Sequence, residues 1–95
     1  MIRQTLVITD NARLADFFPP FIARSELCEH VSLACSPRAP AVVLGNEAFD
    51  VVDVRKESAR LSREYQLIIS AHCKQLFPES LHERVECINI HPGYN

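Results

Sequence analysis

Residues 66–95 read QLIISAHCKQLFPESLHERVECINIHPGYN. Two short apolar runs in it, QLIIS (Gln66–Ser70) and ECINI (Glu86–Ile90), carry β-branched isoleucines and are bounded by polar and turn-forming residues. Runs of this length and composition predict strands. Between them AHCKQLF predicts a loop. Pro78 then stands near the first turn of a helix through Leu81 and Arg84, where a missing amide donor costs nothing. A strand, a helix and a second strand in this order form a parallel crossover unit.

The same alternation extends back to the start of the chain. TLVIT (Thr5–Thr9) predicts a strand buried on both faces. Asp10-Asn11 supplies capping side chains for a helix, ARLADFF, with Leu14, Phe17 and Phe18 on one side. Pro19-Pro20 is expected to break or restart that helix, because Pro20 lacks an amide donor and restricts Pro19, and FIARSEL adds a further turn or two. VSLAC (Val31–Cys35) is a second strand closed by Ser36-Pro37, and Arg38–Ala48 a loop with a short ordered piece. FDVVDV (Phe49–Val54) is a third strand. RKESARLSREY follows as an amphipathic helix of about three turns, Leu61 and Tyr65 inward and its charged side in solvent. Five strands alternating with helices predict an open, mostly parallel, Rossmann-like α/β sheet. Such sheets bind ligands at the carboxyl ends of their strands. The positions to examine are therefore Asp10-Asn11, Cys35-Ser36, Ala71–Phe77 and Asn89–Asn95.

Composition narrows the function classes. The 95 residues are 47% hydrophobic and 23% charged, the balance of one small globular domain. Ten Lys and Arg against twelve Asp and Glu give a net charge of −2, with no basic stripe for nucleic acid. No apolar run reaches the ~18–20 residues of a membrane span. The N-terminal MIRQTLVITDN has no secretory pattern, so a cytoplasmic protein is expected, with Cys28, Cys35, Cys73 and Cys87 as reduced thiols. The first strand is followed by TDNAR, and the whole chain has two glycines, which excludes a G-x-G-x-x-G dinucleotide loop and a P-loop.

Asn89 and His91 are two residues apart at the end of the fifth strand, so both side chains share one face before Pro92-Gly93 turns the chain away. A carboxamide can donate to an oxygen gaining negative charge, and an imidazole can move a proton near neutral pH, a pairing suited to acyl transfer. The same residues also serve as an ordinary strand end and turn. His72, Cys73, Cys87 and His91 could be assembled into a zinc site, but thirteen residues separate Cys73 from Cys87 and no C-x-x-C pair exists, so no metal is expected.

Taken together, LIISAHCKQLFP and CINIHPGYN resemble the formyltetrahydrofolate-dependent formyltransferases, and within them the sugar N-formyltransferases. The resemblance is close over residues 66–95 and loose over 1–95. It implies transfer of a formyl group from 10-formyltetrahydrofolate to the amine of a nucleotide-linked amino sugar, such as dTDP-4-amino-4,6-dideoxyglucose. By that resemblance Asn89 and His91 are two members of an Asn-His-Asp triad. The loop His72, Cys73, Lys74, Gln75, Leu76 and Phe77 is the segment that holds the pterin, largely through backbone groups. The family's Asp lies farther along than Asn95. The expectation is therefore an N-terminal portion of the catalytic domain, truncated after the fifth strand and inactive alone, with an exposed sheet edge open to self-association. Two rivals stand beside it: a non-catalytic module binding folate or a nucleotide sugar, and a small zinc-stabilised domain.

Overall fold

The computed structural model describes residues 3–75 and 77–90. Strands β1 (Thr5–Ile8), β2 (Val31–Cys35), β3 (Asp50–Val51), β4 (Leu67–Ala71) and β5 (Glu86–Ile90) form one sheet in the order β3-β2-β1-β4-β5. Every neighbouring pair is parallel. The crossovers carry α1 (Ala12–Ala23), α2 (Ala41–Leu44), α3 (Ser58–Glu64) and α4 (Glu79–His82). This is the open parallel α/β sheet expected from the strand–helix alternation. β1 starts a path outward to β2 and β3, and the chain then returns to lay β4 and β5 on the other side. The crevice between β1 and β4 is thus the point where strand order reverses, the usual place for a ligand in such sheets.

Alternation along the strands sorts the apolar side chains onto two faces. On one, Leu6 and Ile8 of β1, Ala34 of β2 and Ile68 of β4 pack with Leu61 of α3, Leu81 of α4, Val52, Val54 and Val85. Cys87 of β5 joins this cluster from the margin. On the other face Cys35 packs with Ala15 of α1, Val43 of α2, Ala39 and Phe49. Farther along that second face, Val7, Leu67, Ile69, Ala71 and Ile90 face Phe18, Phe21 and Ile22 of α1 across an apolar groove of about 350 Å³. β5 forms one edge of the sheet, with Ile88 and Ile90 exposed.

Three elements differ from expectation by more than two residues, each for a local reason. Helix α1 runs unbroken through Pro19 and Pro20. Asn11 caps it, its Oδ1 accepting the Leu14 N–H at 3.1 Å. The prolines cannot donate to the carbonyls four residues back, yet their fixed φ is already helical. Ala15 packs the helix against Cys35 of the sheet, and Phe17 stacks on Phe21 across the prolines at 5.1 Å. Strand β3 has two residues instead of six, because only Asp50 and Val51 pair, with Ala34 and Cys35. Past Val52 the chain leaves the sheet: the Val54 N–H donates to the Gln75 side chain. Helix α3 then begins at Ser58, shorter than three turns, because Asp53 folds residues 53–56 into a turn by accepting the Arg55 and Lys56 N–H groups. Among the described residues no helix is long and apolar enough to cross a membrane.

Candidate functional site

Two carboxylates organise the carboxyl edge of the sheet. Asp10, immediately beyond β1, is 2% exposed. Its Oδ1 accepts the Ser36 N–H at 2.8 Å. Its Oδ2 accepts the Ser36 hydroxyl and the Lys74 N–H, both at 2.7 Å. The Asp10 N–H in turn donates to the His72 carbonyl at 3.2 Å. One side chain therefore joins the ends of β1 and β2 to the loop that leaves β4. Hydrogen bonds to an ionised acceptor are short and strong, and burial keeps water from competing for them.

The second carboxylate, Asp53, lies just beyond β3. It accepts the Gln75 amide N–H at 2.8 Å, while the Gln75 carbonyl oxygen accepts the Val54 N–H at 2.9 Å. The Gln75 amide and the backbone N–H groups of Lys56 and Arg55 hold the Asp53 carboxyl below the usual carboxylate range. Residues 72–75 are thus held from two directions, at Lys74 by the backbone and at Gln75 by the side chain. Ahead of these holds His72 takes a left-handed backbone (φ 58°), a conformation that costs a non-glycine residue roughly 1–2 kcal/mol. The bonds on either side offset that cost: its N–H donates to the Ile90 carbonyl at 3.3 Å and its carbonyl accepts from Asp10. The left-handed turn sends the loop across the β1–β4 crevice.

Cysteine chemistry is quiet here. Burial, reinforced by the nearby Asp10 charge, pushes the Cys73 thiol up to about 11. Burial also raises Cys35, again with Asp10 adding to it, and Cys87. None of the three supplies a thiolate near neutral pH, so a cysteine nucleophile has no support among them. Cys28 is exposed, and all four thiols are free. Among the described residues no three His, Cys, Asp or Glu side chains gather where they could hold a metal ion.

Asn89 sits one residue before the end of β5, exposed and in register with Ser70 of β4, two residues before His72. It points to the same face as Cys87, the face covered by α3 and α4. His72, Cys73, Lys74 and Gln75 are brought together on the two carboxylates. Phe77 is half-buried against the core cluster, its ring centroid 6.1 Å from that of His82. Leu76 and His91 lie outside the described residues. Sequence reasoning marked Asp10 and Ser36 as positions to examine without seeing that they organise this edge, and it missed Asp53. The signal was present in the Asp10-Asn11 pair: only one of the two can cap α1, and Asn11 does, which leaves a carboxylate at the end of a central parallel strand.

No family model matches the chain. The dTDP-4-amino-4,6-dideoxyglucose formyltransferases of Mycobacterium tuberculosis (strain ATCC 25618 / H37Rv) and Mycobacterium bovis (strain ATCC BAA-935 / AF2122/97) are 46% identical to it over 43 residues. That stretch is 45% of this chain and 18% of theirs. Among solved structures, a likely sugar N-formyltransferase from Mycobacterium tuberculosis superposes with a TM-score of 0.79 at 30% identity, over 99% of this chain and 37% of that one. A 4-N formyltransferase from Francisella tularensis gives 0.76 at 33%, over 98% and 39%. A sugar N-formyltransferase from a Shewanella species gives 0.79 at 34%, over 96% and 39%. The fold is therefore a Rossmann-like α/β sheet of the formyltransferase type. Within it, the chain is similar in both sequence and structure to the sugar N-formyltransferases, and it spans less than two fifths of the length of these solved structures.

Proposed function

We propose that this chain forms the formyl-donor side of a sugar N-formyltransferase, which moves a formyl group from 10-formyltetrahydrofolate to the amine of a nucleotide-linked amino sugar. The observation that carries this reading is the loop 72–75, braced by Asp10 and Asp53 at the strand-order reversal of a sheet superposing on sugar N-formyltransferases at 30–34% identity. The loop suits a pterin. A flat heterocycle with donors and acceptors on its edge is well matched by backbone N–H and C=O groups held rigid beside apolar neighbours such as Cys73. When bound, the folate supplies an activated formyl group on nitrogen.

The protein's part is positioning and charge. Residues 72–75 would hold the donor's ring, and a rigid seat of this kind would restrict where the reacting carbon meets the amine. The Asn89 carboxamide N–H donates to an oxygen on which negative charge grows as the amine attacks. His91 would take the proton that the attacking amine loses and pass it to the folate nitrogen, whose bond to the formyl carbon breaks as the new carbon–nitrogen bond forms. With its thiol held protonated, Cys73 offers no competing nucleophile for the formyl group. The four free thiols fit a reducing, cytoplasmic setting.

The test is turnover. The protein carrying this chain at full length, given 10-formyltetrahydrofolate and a panel of nucleotide-linked amino sugars, is expected to yield a product one formyl group heavier by mass spectrometry. Folate binding with no product from any amino sugar would leave a binding module in place of the enzyme. Neither binding nor product would remove the reading.

A further inference from the structure

We propose that Asp10 is a positioning residue for the formyl donor, acting through the Lys74 amide. This rests on the reading of the loop 72–75 as the donor's seat. The Asp10 carboxylate faces three donors, two of them backbone N–H groups on different oxygens: Ser36 N–H on Oδ1 and Lys74 N–H on Oδ2. The two are supplied from 26 and 64 residues away along the chain, so the bonds fix tertiary placement rather than a local turn.

The chemistry requires a carboxylate. The Ser36 hydroxyl, on Oδ2, could rotate and accept instead of donating. The two backbone amides have no such freedom. A carboxamide in this position has one oxygen, so in either orientation its NH₂ meets a backbone N–H, and that donor is left buried or displaced. A residue that only filled the core would not need this arrangement. Here the fully buried Ser36 and the 2%-exposed Asp10 form an anchor in the sheet, and the anchored group at the far end is the loop amide. Shifting the Lys74 peptide would move the seat while leaving β1, β2 and the packed faces in place.

The experiment compares Asp10→Asn with Lys74→Pro in the full-length protein. The second variant deletes the donated N–H from the loop side and leaves the buried anchor intact, so it carries the test if Asp10→Asn does not fold. Each is read by KM for 10-formyltetrahydrofolate, KM for the amino-sugar nucleotide, and amide hydrogen exchange. The donor KM is expected to rise about 10–100-fold with the sugar KM unchanged. Exchange is expected to speed up at residues 72–75 while β1 and β4 stay protected. An unchanged donor KM in the folded variants, or equal rises in both KM values, overturns the proposal. Should the unaltered protein take no folate at all, the functional reading fails separately. The donor role of Asp10 then falls with it, and hydrogen exchange decides only the anchoring: acceleration confined to residues 72–75 shows that Asp10 fixes the loop, and uniform acceleration over the sheet overturns that as well.

Discussion

Replacing Asn89 by alanine in the full-length protein is expected to lower formyl transfer by about 10²–10³-fold, the range for losing one donor to a developing oxyanion. Affinity for the folate donor is expected to change little. A carbonyl oxygen in the ground state carries only a partial charge, whereas the oxygen left by attack on that carbon carries nearly a full one, so the donated N–H is worth far more in the transition state. Asn89 is well placed for such a role: it is exposed at the carboxyl end of β5, and β4, paired beside it, leads directly into the loop 72–75. His91→Ala is expected to cost about 10²–10⁴-fold through loss of proton transfer. The double variant should fall by much less than the product of the two, because groups that act on one transition state are not additive. Steady-state rates and folate affinity for the three variants check this. If Asn89→Ala retained most of its turnover, or lost rate only by losing folate affinity, the role in catalysis would be wrong.

The second large effect is on stability. Ile68→Ala is expected to destabilise the fold by about 2–5 kcal/mol, the range for truncating a buried aliphatic side chain. Ile68 is 0% exposed and sits on β4 between β1 and β5, in register with Leu6 on one side and Cys87 on the other. The cavity opens where α3 and α4 meet the sheet, next to Leu61 and Leu81, which are also 0% exposed. Domains of this kind have total stabilities of only about 5–15 kcal/mol, so this one substitution removes a large part of the margin. Ile88→Ala on β5, where the side chain is 42% exposed, is expected to cost about 1 kcal/mol or less. Urea unfolding of both variants makes the comparison, and equal losses would mean that β4 is not the centre of the core.

The sheet was legible because its central strands β1 and β4 are largely buried and its edge strand β5 is still an apolar, β-branched run. TLVIT, VSLAC, LIISA and ECINI are short apolar runs with few other structures open to them, and their parallel order follows from the intervening helices. The helix–proline reading failed because a local rule met other contacts: Pro19-Pro20 does remove donors, but Ala15 packs α1 on Cys35 of the sheet and Phe17 stacks on Phe21 across the prolines. β3 was overdrawn because Phe49, Val52 and Val54 are apolar for packing, not for ladder pairing. The site was half legible. Asn89 and the loop 72–75 carry a recognisable pattern, whereas Asp10 and Asp53 act across 64 and 22 residues, and no short window contains both ends of such a bond.

The most direct test of the central claim, that the carboxyl edge of the sheet seats the formyl donor, is amide chemical-shift mapping by NMR. 5-Formyltetrahydrofolate serves as a stable probe. The largest shifts are expected at residues 72–75, with further shifts at Ser36 and Asn89, all at the carboxyl ends of β2, β4 and β5. The contradicting result is a shift map centred on the apolar groove between α1 and the opposite face of the sheet, at Phe18, Phe21 and Ile69, or no shifts at saturating probe.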